Sequence, residues 1–493
     1  MGLVILWGTP GCPGVLTRLR LLDWFRDTPQ IVFFCVFAAA RKIAILYYGH
    51  AMVLFADSQF VEYTIAIGSA KPAQYQRLEY VMGISIDDVL AAQQRIGAAI
   101  LHTPCPPSQA LSEMTGCQIF CKMEHLQRTG SFKERGARNA LLLLNDDQRK
   151  RGVIAASAGN HALGLSYHGQ LLHIPVTVVM PQFAPLIKIA NCRRMNARVI
   201  LHGDTLVQAR RKADEIAQHE ALTYIHGFND AAVIAGQGTL GLEILQQVPD
   251  CQAVVVPVGG AGLIAGVSLA IKSLQPEIKI IGVESDRAAA FQAAMAAGHP
   301  VNVECRPTLA DGLAVGKIGV DSFDLARRYV DCVVGVGEDV IPSAILRLLE
   351  LEKIVVEGAA AAGLAAFITG QLADLQGQRV VLVLSGGNID PIALSRVIEK
   401  GLAVDGRLCR FTATIRDRPG GLAEFASCLA SIGVSIKDIT HDRAFSGPDI
   451  SAVQIICTVE THDHHHISRL MESLKCFNPQ FLTADHWQLG NRA

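Results

Sequence analysis

Between residues 152 and 384, short apolar runs rich in β-branched residues recur: Gly152-Val153-Ile154-Ala155, Val176-Thr177-Val178-Val179-Met180, Ala197-Arg198-Val199-Ile200, Ala253-Val254-Val255-Val256, Lys279-Ile280-Ile281-Gly282-Val283 and Val380-Val381-Leu382-Val383-Leu384. Each reads as a strand buried on both faces, because none shows the apolar/polar alternation of a strand with one wet face. Helical patterns separate them. A helix between two neighbouring strands returns the chain to the end where it began, so such strands pair in parallel. The pattern predicts an α/β fold of doubly wound parallel sheets, with ligands at the carboxyl ends of the strands. The Ala-rich patch at 359–366 reads as a close-packed helix, and no internal repeat is evident.

Two stretches depart from this pattern. After Lys400, Leu408-Cys409-Arg410-Phe411-Thr412-Ala413-Thr414-Ile415 alternates like a half-buried strand, Arg416-Asp417-Arg418-Pro419-Gly420-Gly421 reads as a turn, and Leu422 to Ile432 as a helix. A strand from Ser435, alternation over Ser451 to Val459 and a helix from His466 to Leu474 complete a β-α-β-β-α order. That order predicts a ferredoxin-like α+β unit over 401–493. Residues 1–81 instead hold clusters such as Ile31-Val32-Phe33-Phe34-Cys35-Val36-Phe37 with no amphipathic period. Arg41 and Lys42 keep these short of the roughly 20 residues a membrane helix needs, and no signal-peptide layout is present, so no membrane association is expected. Gly8-Thr9-Pro10-Gly11-Cys12-Pro13-Gly14 lacks the ending of a phosphate loop. An organelle-targeting peptide and a misplaced translation start are the two readings of this extension. A well-formed segment begins at Met82, with Ser85 as N-cap and Asp87 and Asp88 in the first turn. The functional protein is expected to start there, with a first domain over 82–400.

At 493 residues the chain is long enough for about three domains of ordinary size. Charged residues are only 18% and the formal net charge is -1, which argues against nucleic acid and favours a small neutral or zwitterionic ligand. The 13 cysteines are scattered, and Cys117 and Cys121 have no second pair or histidine at zinc spacing, so reduced thiols in a cytoplasmic protein are expected. His464-His465-His466 follows Asp463 in what reads as a polar turn rather than a metal site.

Four loops at strand-to-helix junctions carry reactive groups. In Arg128-Thr129-Gly130-Ser131-Phe132-Lys133-Glu134-Arg135-Gly136-Ala137, Lys133 follows a Gly-Ser turn and opens an Ala/Leu-rich helix. An amine there feels the positive end of the helix dipole and, if desolvated, is pushed toward a neutral nucleophile able to hold a carbonyl as a Schiff base. Alone, it would be most simply a solvated first-turn lysine. Ser157-Ala158-Gly159-Asn160-His161 follows the strand at 152–155, and its N–H groups and hydroxyl read as facing an anion such as a carboxylate, although an ordinary N-cap explains the pentad equally well. Val258-Gly259-Gly260-Ala261-Gly262-Leu263 follows the strand at 253–257. Its glycines let successive N–H groups wrap a phosphate, and the dinucleotide spacing G-x-G-x-x-G is absent. Leu384-Ser385-Gly386-Gly387-Asn388 offers a hydroxyl able to meet a ring nitrogen. An amine, a carboxylate site, a phosphate cradle and a neutral hydroxyl together meet the needs of pyridoxal phosphate chemistry on an amino acid.

On Gln127-Arg128-Thr129-Gly130-Ser131-Phe132-Lys133, Ala156-Ser157-Ala158-Gly159-Asn160-His161, Gly236-Gln237-Gly238-Thr239 and Ser385-Gly386-Gly387-Asn388, residues 85–400 resemble the tryptophan-synthase-β-like, fold-type II pyridoxal phosphate enzymes. Among these they resemble the threonine and serine dehydratases. The resemblance implies a small subdomain at about 130–230, pyridoxal 5'-phosphate as cofactor, and elimination of water from L-threonine or L-serine. It implies Lys133 as Schiff-base lysine and Cα base, with Ser157 as a second catalytic group. Ser157, Ala158, Gly159 and His161 would bind the substrate, Asn160 would face the ring hydroxyl, Gly259, Gly260, Ala261, Gly262 and Leu263 would cradle the phosphate, and Ser385 would face the pyridine nitrogen.

Ala261 departs from the family, which usually has glycine; at φ > 0, alanine costs on the order of 1 kcal/mol. Glu284 matches one carboxylate of a cation site that some relatives hold, but Ala289 and Ala290 supply no other, so no metal is expected. Ala158 stands where serine racemases carry a serine, which favours the lyase over a racemase. Intact Lys133, Asn160 and Ser385 disfavour a non-catalytic amino-acid sensor. The unit after 401 resembles the ACT regulatory domains, which puts an amino-acid effector, branched-chain first, at Arg418, Pro419, Gly420, Gly421 and Leu422. Its open sheet edges imply pairing with a second copy in a homo-oligomer, a dimer or tetramer.

Overall fold

The alternating runs build two parallel sheets. In this computed structural model the larger sheet has the spatial order Cys332–Val336, Lys279–Ser285, Ala253–Pro257, Arg379–Val383, Gln118–Lys122 and Pro107–Ser108, parallel except at the last pair. The smaller runs Arg198–Leu201, Val176–Met180, Val153–Ala156 and Thr223–Tyr224, parallel throughout. Residues 83–443 and 451–482 are described, together with the backbone of three strands, Val32–Ala38, Arg41–Tyr48 and Ala51–Ala56. Those three pair antiparallel in chain order within a separate unit, Met1–Tyr80. The start at Met82 and the Gly8–Gly14 loop lie outside the described residues.

All six runs read from the sequence are strands. Val176–Met180 and Ala253–Pro257 are buried at every residue, as full coverage requires. Arg198–Leu201 is not: it forms the edge of the small sheet with no residue fully buried, and Arg198 pairs at the surface with Glu220 at 2.7 Å. The expectation of burial on both faces fails there because an edge strand has one neighbour instead of two. Strand residues of the large sheet alternate between two cores. Val254, Val256, Val381 and Val383 face the helices Ala231–Gln247 and Gly262–Leu274, while Ala253, Val255, Val380 and Leu382 face the helices Ile341–Glu352 and Gly358–Ile368. The last of these is the Ala-rich helix, buried throughout 358–366. The Gly-Gln-Gly-Thr motif serves packing: a Cβ on Gly236 would lie 2.7 Å from the Arg135 carbonyl, and one on Gly238 2.9 Å from the Gly266 carbonyl.

The C-terminal unit is β-α-β-β-α-β, one short strand, Gln480–Leu482, longer than expected. Its antiparallel sheet has the order Ser435–Asp442, Ala452–Glu460, Leu408–Arg416, Gln480–Leu482. Phe411, Phe425, Leu429, Ile455 and Leu470 fill its core. The histidine run is helix rather than turn. Asp463 caps the helix His464–Ser473 by accepting the His466 N–H at 2.7 Å, and His466 is buried with Nε2 donating to the Ile432 carbonyl at 3.0 Å. The helix Pro391–Val404 passes through the boundary expected at 400/401. Beyond it, Arg407 pairs with Glu350, and Lys437 with Glu399 at 2.7 Å.

Candidate active site

Lys133 is the first residue of the helix Lys133–Leu142. The turn before it is stitched to the loop after strand Arg379–Val383. Ser131 bridges Gly386, Phe132 N–H donates to the Ser385 carbonyl at 3.0 Å, and Gly387 N–H donates to Gly130 O at 2.9 Å. Gly130 has φ +77°, and a Cβ on it would lie 2.6 Å from Asn388 Oδ1, so both backbone and space require glycine. Beneath the turn lies a set of buried, mutually bonded polar and charged groups. Glu134 accepts the Thr129 N–H and meets His168 Nε2 at 3.2 Å, while Arg135 bridges Glu124 at 2.8 Å and Glu243 at 2.6 Å. Removing one member would leave its partner charged and unpaired in a dry interior, so the lysine's first turn is held firmly from below.

The Lys133 amine donates to the Gly227 carbonyl at 2.7 Å and lies 5.0 Å from the Phe132 ring centre. The residue as a whole is half-buried, and its amine lies inside the protein. Burial pushes the amine down to about 8, opposed by the carboxylate of Glu357. His161 and His226 stand nearby and are also lowered, mainly by burial, to about 3 and about 4. Both rings are therefore neutral near pH 7 and put no cation beside the amine.

The second loop differs in part from expectation. Ser157 N–H donates to the Val179 carbonyl at 3.1 Å, and the Ser157 hydroxyl accepts from Gly159 N–H at 3.3 Å. Two of the amides expected to face an anion are thus engaged inside the protein. Asn160 and His161 head the helix Asn160–Leu171, so their N–H groups lack intrahelical acceptors and stay available. The His161 ring turns inward: Nε2 meets the Ile225 carbonyl at 3.0 Å, and that acceptor requires the proton on Nε2. Ala158 and Asn160 are half-buried at the cleft.

Gly259–Leu263 leads into the helix Gly262–Leu274. Ala261, its N-cap, has φ +67°, so the substitution that stands out in the sequence does carry a left-handed backbone. A Cβ on Gly260 would fall 2.2 Å from Phe228 Cγ, one on Gly262 2.7 Å from the Phe228 carbonyl, and one on Gly259 2.7 Å from the Gly312 carbonyl. Close approach therefore demands these glycines. Phe228 adjoins Gly227, whose carbonyl holds the lysine amine, so one dipeptide links amine and glycine loop.

Sequence reasoning missed Glu357. It is 4% exposed, stands at the N-cap position of the Ala-rich helix without a side-chain capping bond, and accepts from Asn160 Nδ2 at 2.9 and 3.0 Å. A Cβ on Gly386 would lie 2.6 Å from its Oε1. The available signal was one acid between Val355-Val356 and a run of alanines, a costly place for a carboxylate with no use. Ser385 is 2% exposed on the next loop. Glu284 is fully buried and accepts Phe291 N–H at 2.7 Å and Gln292 N–H at 2.9 Å, so both its oxygens are engaged by a helix start. No group of three or more His, Cys, Asp or Glu suited to a metal occurs among the described residues. Arg418 to Leu422 lie in the C-terminal unit, exposed except for Gly421, with Arg418 on Glu424 at 2.6 Å.

The family described as pyridoxal-phosphate dependent enzyme matches residues 96–386. The chain is 45% identical over 387 residues to the L-threonine ammonia-lyase of Thermotoga maritima, covering 78% of this chain and 96% of that one. It is 42% identical over 321 residues to the catabolic L-threonine dehydratase TdcB of Escherichia coli K12, covering 65% of this chain and 97% of the relative. Among solved structures it resembles threonine deaminase isoform 2 from Solanum lycopersicum, with TM-score 0.61, 36% identity and coverage of 64% and 92% of the two chains. Serine racemase from Dictyostelium discoideum gives TM-score 0.59, 33% identity and coverage of 62% and 99%.

Proposed function

The chain belongs to the pyridoxal-phosphate-dependent enzymes, and on that premise we propose that it deaminates L-threonine, and L-serine beside it, by β-elimination of water to 2-oxobutanoate or pyruvate and ammonia. The observation that carries this reading is the buried Lys133 amine, joined through Gly227-Phe228 to the glycine loop and bridged through Ser131 to Gly386, beside Ser385. These residues fit the cofactor: an amine close to neutral, a run of small residues ending on a helix N-terminus, and no cationic ring beside the amine.

When bound, the cofactor supplies an electron sink for the pair left at the substrate's Cα. Lys133 would anchor it and then take the Cα proton. Gly259, Gly260, Ala261, Gly262 and Leu263 would hold its phosphate through their N–H groups, Asn160 would meet its ring hydroxyl, and Ser385 would meet its pyridine nitrogen. A hydroxyl there, unlike a carboxylate, would add no negative charge to hold a proton on that nitrogen, which favours elimination over reprotonation at Cα. The Asn160 and His161 N–H groups at the helix start, with the Ser157 hydroxyl and the Ala158 N–H, would receive the substrate carboxylate. The β-hydroxyl would leave as water with one proton, balancing the one that Lys133 removes from Cα, and the released enamine takes up water to give the 2-oxo acid and ammonia.

Serine racemases share the fold, but Ala158 offers no acid or base on the far side from Lys133, so elimination is the favoured outcome. The unit from 401 is read as an ACT-like regulatory and pairing domain with an amino-acid effector at Arg418 to Leu422. In support, a match to 65% of this chain already spans 97% of the E. coli dehydratase. Residues 1–81 are taken to lie outside the catalytic unit, so a protein starting at Met82 keeps full activity. Free thiols at every cysteine among the described residues fit a cytoplasmic setting. None of their helices is long and apolar enough to cross a membrane. The deciding experiment is the steady-state yield of 2-oxobutanoate from L-threonine and pyruvate from L-serine with the cofactor's visible absorption recorded in parallel. Absorption without any 2-oxo acid would overturn the proposal.

A further inference from the structure

Three of the loops described above converge on Glu357. Asn388 Nδ2 donates to the Thr129 carbonyl at 2.7 Å and to Asn160 Oδ1 at 2.9 Å. A carbonyl only accepts, so the Thr129 contact fixes which end of Asn388 points there. That in turn fixes Asn160 with Oδ1 toward Asn388 and Nδ2 toward Glu357. The carboxylate closes the relay by accepting from Asn160 Nδ2 at 2.9 and 3.0 Å. Its space exists because Gly386 has no side chain.

Resting on the cofactor reading above, we propose that Glu357 is a positioning residue of the active site: its carboxylate orients the Asn160 amide toward the cofactor's ring hydroxyl and provides the negative charge facing the Lys133 amine. No Lys or Arg forms an ion pair with it within 4 Å among the described residues, so its charge acts on the cleft instead of being cancelled at contact. The titratable groups that bear on it are Lys133, Lys188 and Asp311. Lys188 and Asp311 pair with each other at 3.0 Å. Burial above all raises the Glu357 carboxyl to about 7, with the Asn160 hydrogen bond opposing, so its charge changes within the working pH range.

The test uses the full-length holoenzyme carrying Glu357→Gln or Glu357→Asp. In the wild type, visible absorption of bound cofactor titrates with a step near pH 7. Glu357→Gln keeps bound cofactor and an unchanged melting temperature, loses that step, and lowers kcat by about 10- to 100-fold with little change in KM. Glu357→Asp keeps the step, because the charge remains, but lowers kcat because the shorter side chain no longer reaches Asn160. Superposable titrations and equal kcat for wild type and Glu357→Gln would overturn the proposal. If Glu357→Gln does not fold, Glu357→Asp decides, and a wild-type kcat there overturns it. A wild-type protein with no cofactor absorption would sink the cofactor reading instead, so the two failures are distinguishable.

Discussion

Replacing Gly260 by alanine puts a carbon 2.2 Å from Phe228 Cγ and 2.4 Å from both Cδ atoms. Ordinary carbon contacts are about 3.5–4.0 Å, so ring or loop must give by more than 1 Å. Phe228 is poorly placed to move. Its ring packs edge-on against His226 at 4.4 Å, its N–H donates to His226 Nδ1 at 3.3 Å, and its carbonyl accepts from Ser322. The preceding carbonyl, Gly227, also holds the Lys133 amine. Overpacking of this kind costs about 1–3 kcal/mol. If the glycine loop yields, the loss appears in cofactor affinity as roughly 5- to 150-fold; if the ring yields, it appears in stability as about 2 °C of Tm per kcal/mol. Titration of apoprotein with pyridoxal phosphate, followed by absorbance, and calorimetry measure the two. In a Phe228→Ala background the same alanine meets open space, and its cost should fall to within about 0.5 kcal/mol of zero. Wild-type affinity and Tm in Gly260→Ala, or an undiminished cost in that background, would refute the reasoning.

Lys133→Ala should lower turnover by more than roughly 1,000-fold and abolish the visible absorption of covalently held cofactor; normal activity would end the functional reading. The lysine amine, lowered to about 8, is mostly protonated below that pH, so the rate of cofactor uptake by apoprotein should rise with pH to about 8 and then level off. Its folded value lies below the ordinary 10.5, so folding sheds a proton between the two and this group's contribution to stability grows as pH rises from about 8 to 10.5. Denaturant titrations of wild type and Lys133→Met across that range check the sign. Ala158→Ser should raise D-serine formation relative to pyruvate, read by chiral chromatography; an unchanged ratio counts against the placing of that loop. A protein ending after Asp405, which preserves the helix Pro391–Val404, should keep cofactor and activity while losing any response to isoleucine or valine in kinetics and sedimentation. Loss of cofactor from such a protein while it stays folded would make the C-terminal unit part of the catalytic one.

Local pattern was enough for much of this protein. β-Branched runs between helical ones gave away six strands and their parallel pairing, since side-chain period and burial are written residue by residue. Glycines and reactive groups at strand ends marked the loops around Lys133, Asn160, Gly259 to Leu263 and Ser385, and Ala261 stood out before its φ of +67° was known. Cys332–Val336 was missed although its residues fit the pattern, whereas Gln118–Lys122 was missed because its own residues break it. Gln118–Lys122 ends on a charge made tolerable in the interior by Glu243, 121 residues away and 2.5 Å distant, with the Thr103 carbonyl at 2.7 Å and Gln247 at 3.0 Å. The histidine run read as a turn although Asp463 was a local N-cap signal three residues before His466; what the sequence did not show is the Ile432 carbonyl, 34 positions away, as partner for the buried His466 ring. Glu357 is the sharpest case. It bonds Asn160, 197 positions away, and Asn160 bonds Asn388, 228 positions away. Hydrogen bonds reach about 3 Å and carry no sequence period, so folding alone brings those donors and that acceptor together. The chain thus announces which loops hold the chemistry, while the orientation of each polar group within them comes from contacts that exist only once both sheets and their helices have packed.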